Sequence, residues 1–200
     1  MNQDNRIGEV VESSSLQFTV QCYDLYKSPN IGTLVKCGTD PQLFGIVYDV
    51  SNKSMDPARR PVPRGRDENK EEGVYLSNPQ LNRLLITEVN CILVGYKSTE
   101  GILQSPVSLP PRIHSFVIEC SEEELREFSS TLDFLPLLLE SPILNSIDDV
   151  ISSFLIKSSK SHDDKSRFLI YAGKELAFNL SGQLIRLNNL LKRISKWIQK

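Results

Sequence analysis

The sequence predicts an α+β protein: a small antiparallel six-stranded β-barrel over residues 1–120, then an α-helical bundle over residues 121–200. Three observations lead there. Leu16, Phe18, Val20 and Cys22 alternate with Gln17, Thr19, Gln21 and Tyr23, the two-residue period of a strand with one face in a core. Further short apolar runs follow, separated by breaks at Gly8, Gly32 and Gly38. After Cys120 the period lengthens, and Leu184, Leu187, Leu190, Leu191, Ile194, Trp197 and Ile198 recur at helical spacing.

Residues 1–6 read as a frayed end. Pro29 and Asn30 carry turn chemistry, Gly32 to Gly38 is a short strand, and Thr39 to Gln42 is a turn. Leu43 to Val50 is a strand with Phe44, Ile46, Tyr48 and Val50 on one side. Residues 51–73 form a long polar excursion with three prolines and two glycines, which argue against a regular element. A loop of that length in a compact domain is usually functional or disordered. Asn78 as N-cap and Pro79 at the first helical position predict a short helix through Leu85. Thr87 to Lys97 is a strand with apolar residues on both faces, so both are expected to be covered. Residues 105–112 are extended and proline-rich, and Ile113 to Cys120 is the last barrel strand.

In the helical part, Ser121 and Glu124 form a capping box, the reciprocal bonding that satisfies backbone N–H groups at a helix start. Leu132 to Leu139 is a helical turn broken around Pro136. Ser146 caps a helix through Lys157, Asp163 or Asp164 begins one that buries Phe168, Leu169, Tyr171, Ala172, Leu176 and Leu180, and Ser181 caps the last.

Composition narrows the classes. With 40% hydrophobic and 24% charged residues the chain can bury a real core. A net charge of −2 gives no whole-molecule attraction to nucleic acid or to an anionic membrane. Cys22, Cys37, Cys91 and Cys120 are scattered without a CxxC pair and sit in apolar runs; reduced buried thiols are expected, with disulfides the alternative. The opening MNQDNRIGEV has no apolar core of a signal peptide, and no run of eighteen apolar residues would span a membrane. The expectation is a soluble, cytoplasmic protein.

No catalytic constellation emerges. His114 shares a predicted strand with Cys120, a pairing that could activate a nucleophile, but the spacing fits a core or rim histidine better. His162 lies beside Asp163 and Asp164, which read as helix caps rather than metal ligands. No zinc spacing exists and nothing asks for a cofactor. The best binding candidates are Arg59, Arg60, Arg64 and Arg66 in the excursion, whose planar forks suit carboxylate, phosphate or nucleic-acid backbone. The plainer reading pairs them with the loop's own acids, Asp67, Glu68, Glu71 and Glu72. Arg112 and His114 mark a candidate rim site. Residues 119–150 hold nine acids and one Arg, while residues 181–200 hold five bases and no acid. Lys192, Arg193, Lys196 and Lys200 could therefore meet a phosphate or an acidic partner, or the two segments could attract each other.

The motifs IGEVV, GTLVKCG, FGIVYDVS, NPQL and PPRIHSF, spread over Ile7 to Cys120, resemble the HAS-barrel domain, named for HerA-type translocases and ATP synthase catalytic subunits. They look most like a stand-alone cyanobacterial and plastid version. The resemblance implies a six-stranded barrel that mediates ring packing or partner docking ahead of an ATPase core. That core is missing: there is no GxxxxGK[ST] phosphate loop, and the only Gly-Lys pair, Gly173-Lys174, precedes Glu175 in a predicted helix. The expected function is a non-enzymatic interaction or assembly module that docks onto a larger protein complex. The alternative is an accessory factor in nucleic-acid processing that binds phosphate backbone through the arginine loop and Lys192 to Lys200. A third reading is a hydrolase at the barrel mouth using His114.

Overall fold

The computed structural model describes residues 6–141 and 147–196. The proposed cap Ser146, the apolar Trp197 and Ile198, and Lys200 lie outside the described residues.

Seven strands make one antiparallel sheet: β1 (Arg6–Ser13), β2 (Gln17–Cys22), β3 (Leu34–Cys37), β4 (Gln42–Ser54), β5 (Leu85–Ser98), β6 (Gly101–Leu103) and β7 (Phe116–Glu119). The order is β2-β1-β7-β3-β4-β5-β6, and β2 also pairs with β5, so the sheet curls back into a ring with β6 appended to β5. Two short helices, α1 (Glu71–Ser77) and α2 (Leu81–Leu84), lie between β4 and β5. Five more follow β7: α3 (Glu122–Phe128), α4 (Leu135–Leu139), α5 (Ile147–Ser161), α6 (Lys165–Asn179) and α7 (Leu184–Ser195).

Alternation along the strands sends side chains to two cores. Val10, Phe18, Val20, Val35, Val47, Val89 and Val117 fill the inside of the ring together with Cys22, Cys37 and Cys91. Leu34, Phe44, Ile46, Ile92 and Val94 point outward from β3, β4 and β5 into a second core with α3 to α7. The covered two-faced strand expected at Thr87 to Lys97 is thus β5, its outer face roofed by helices.

Local signals explain most boundaries. The Ser121 hydroxyl accepts from the Glu124 N–H, and the Glu124 carboxylate accepts from the Ser121 N–H, which starts α3 as expected. Asp164, not Asp163, caps α6 by accepting from the Arg167 N–H at 2.9 Å. Other expectations fail. The short helix expected up to Leu85 forms as α2, but Asn78 does not cap it: Asn78 ends α1, its amide donating to the Val74 carbonyl, and α2 is entered from Gln80. Ser181 does not cap α7, because the α6–α7 turn continues to Gln183, whose N–H donates to the Leu180 carbonyl. The excursion is not wholly irregular either: β4 runs on to Ser54, paired with Leu85, and α1 begins at Glu71. Leu16 lies just outside β2, at the β1–β2 turn, and is exposed rather than sharing the core face of Phe18, Val20 and Cys22.

Candidate interaction surfaces

The excursion is anchored at its neck and folded on itself. The Met55 N–H donates to the Leu84 carbonyl at 2.8 Å, where the β4–β5 ladder ends. The Ser77 hydroxyl donates to Glu68 at 2.6 Å, and Arg64 donates to the Asn78 side-chain carbonyl at 3.1 Å. Gly73 permits this closeness, since a Cβ there would fall 2.4 Å from the Glu68 carboxylate. Tyr75 of α1 meets Tyr26 edge to face, ring centroids 6.0 Å apart, with their hydroxyls hydrogen-bonded. That bond, with burial, pushes the Tyr26 phenol up to about 12. Tyr26 sits at φ 66°, a region costly for a residue with a Cβ, and its N–H donates to the Thr87 hydroxyl at 2.7 Å.

These bonds sort the four arginines. Arg59 pairs at 3.2 Å with Asp56, an acid of the same loop, and Arg64 is committed to Asn78. Arg60 and Arg66 are exposed and make no ion pair among the described residues. Met55 and Val62 on the excursion, Leu76 on α1 and Leu84 on α2 are exposed.

Arg112 and His114 do come together, on the wall of a groove of about 600 Å³ between the β3–β4 turn and residues 109–116. Its lining includes Leu43, Phe116 and Ile118. His114 is not on a strand face: it precedes β7 in a turn at φ 67°, with its N–H donating to the Val10 carbonyl at 2.8 Å. Its Nδ1 lies 2.8 Å from Glu9 Oε2, and the Tyr23 hydroxyl donates to Glu9 Oε1, also at 2.8 Å. Those two partners hold the Glu9 carboxyl below its ordinary range. Beside the groove, the Arg6 guanidinium stacks 3.7 Å over the Phe116 ring. The structure does not join His114 to Cys120, which lies beyond the other end of β7.

The C-terminal bases behave unevenly. Arg186 donates to Asp148 at 2.9 Å, and Arg193 pairs with Asp149, so the acidic and basic segments do engage each other. Lys192 and Lys196 remain exposed without an ion pair among the described residues.

Remaining reactive groups are committed to structure. His162 Nε2 lies 2.8 Å from the Ser129 hydroxyl, which itself donates to the Leu125 carbonyl. The imidazole stacks on Phe168 at 4.3 Å, and burial holds it below its usual range. Burial pushes the Cys22 thiol to about 11 and Cys37 to about 12, and raises Cys91 and Cys120. Among the described residues no three His, Cys, Asp or Glu side chains are arranged to hold a metal ion. The chain matches no protein-family model and no curated protein.

Sequence reasoning missed the Tyr26–Tyr75 latch and the Glu9–His114–Tyr23 cluster. Their members are far apart in the chain and have no local signature.

Proposed function

We propose that this chain is a non-enzymatic docking module. In this reading the ring is a six-stranded HAS-type barrel with β6 as an appendage, and the folded excursion is the surface that engages a larger protein complex. One observation carries it: Arg60 and Arg66, exposed and without an ion pair among the described residues, lie on a loop tied down at its neck and by the Tyr26–Tyr75 contact, in the same β4–β5 connection as exposed Met55, Val62, Leu76 and Leu84. Arginine is enriched among interface hot spots, and methionine and arginine at interfaces generally. A loop already ordered loses less conformational freedom on binding, so more of the contact energy is retained. The Arg112–His114 groove is the second contact in this reading. The nucleic-acid alternative ranks below it because Arg193, one of its expected phosphate contacts, is already neutralised by Asp149.

The test is cross-linked capture from native lysate with the full chain and with the triple variant Arg60→Ala, Arg66→Ala, Leu76→Asp. These residues are exposed, so circular dichroism should stay unchanged. The reading expects a discrete set of proteins captured by the native chain and lost with the triple variant. Equal capture by both, or nothing above bare matrix, would refute it.

A further inference from the structure

A second surface lies on the last two helices. α6 and α7 are joined by a short turn and pack side by side: a Cβ on Gly173 would sit 3.4 Å from Leu191. At the tip of this hairpin, Phe178, Leu184 and Ile185 are 81%, 67% and 81% exposed. Three large apolar side chains protruding at one turn are unlike scattered surface residues, which need no explanation.

Charge is arranged around that tip. Residues 165–196 contain seven bases and one acid, Glu175, in a protein of net charge −2. Arg186 and Arg193 are neutralised by Asp148 and Asp149. Lys165, Arg167, Lys174, Lys192 and Lys196 are exposed and form no ion pair among the described residues. Lys174 lies one turn before Phe178 and Lys192 two turns after Ile185, so their Cα atoms are set back about 6 and 10 Å along the helices. Cations therefore stand behind apolar residues at the depth that separates lipid headgroups from acyl chains.

Other occupants fit less well. A second copy would bring the same uncompensated lysines against these. A nucleic-acid backbone would satisfy the lysines but offers nothing to Leu184 and Ile185. An anionic bilayer satisfies both. We propose that the α6–α7 tip seats on an anionic lipid surface, with Phe178, Leu184 and Ile185 entering the acyl boundary and Lys174 and Lys192 meeting headgroup phosphates. No spanning segment is required, and no described helix is long and apolar enough to cross a membrane.

The experiment is co-sedimentation of the full chain with vesicles of phosphatidylcholine alone or with about 30% phosphatidylglycerol, at low and high salt. Binding is expected only to the anionic vesicles and should weaken with salt. Lys174→Glu and Lys192→Glu should each lower partitioning at least about fivefold. Phe178→Ser with Ile185→Ser should abolish it while leaving circular dichroism unchanged, since both residues are exposed. Equal recovery in the supernatant with both vesicle types at low salt would overturn the proposal. So would binding that survives the double serine variant, or serine-sensitive self-association without vesicle binding. Binding to a single-stranded oligonucleotide with the same lysine dependence and no serine effect would assign the surface to phosphate alone and also overturn it.

Discussion

The two faces of the sheet are filled differently. Inside the ring the buried residues are mainly valines and three cysteines, and Phe18 is the only aromatic among them. On the outer face, Phe44 meets Phe128, which forms one cluster with Phe134 and Phe154, the contacting rings 5.1 to 6.3 Å apart. Strands that curl into a narrow ring leave little width between opposite walls, so short side chains fit. The space between a sheet face and helices is set by helix position and accommodates large rings. The Phe18 ring fits this account: a Cβ on Gly45 would fall 2.6 Å from it. Glycine at that position is what makes room for phenylalanine.

The largest expected effect is on the helix side. Phe154→Ala removes the ring that touches both Phe128 and Phe134 and should cost about 3–5 kcal/mol, read as a lowered urea midpoint. A loss near zero would mean that the helices do not share a core with the sheet. Inside the ring the sensitivity should be to added volume. Gly45→Ala is expected to cost about 1–3 kcal/mol. Combined with Phe18→Leu, the loss should be smaller than the sum of the two single losses, because the pair shares one space. Strict additivity would refute the crowding. The smallest effect concerns chemistry rather than stability. Burial raises all four thiols, so a thiol reagent at pH 8 should label none rapidly in the native protein and all four after denaturation. Rapid native labelling of Cys37 or Cys91 would show the ring to be open.

Much of this contrast was legible in residue order. Period-two alternation marked β2, and apolar residues on both faces marked β5 as a strand covered on both sides. The capping box at Ser121 and Glu124 formed as local chemistry demands. Asn78 shows where local reading stops: the same side chain can begin one helix or end another, and here it ends α1 with its amide on the Val74 carbonyl. The candidate sites were legible as composition but not as geometry. Four arginines looked equivalent, yet Asp56 and Asn78 took two of them. Arg112 and His114, neighbours in sequence, line one groove, while the carboxylate that holds His114, Glu9, comes from the other end of the sheet-forming chain.

By itself the sequence determined the class of the strongly periodic and capped segments, β2, β5, α3, α6 and α7, because strand and helix periods and helix caps depend on residues within a few positions of each other. The tertiary structure alone decided which side chains became neighbours: β2 against β5, Tyr26 against Tyr75, Arg193 against Asp149, Gly45 beneath Phe18. Those contacts join residues tens of positions apart. Pairing at that range is selected by how the whole set of faces packs, and no short window of residues encodes it.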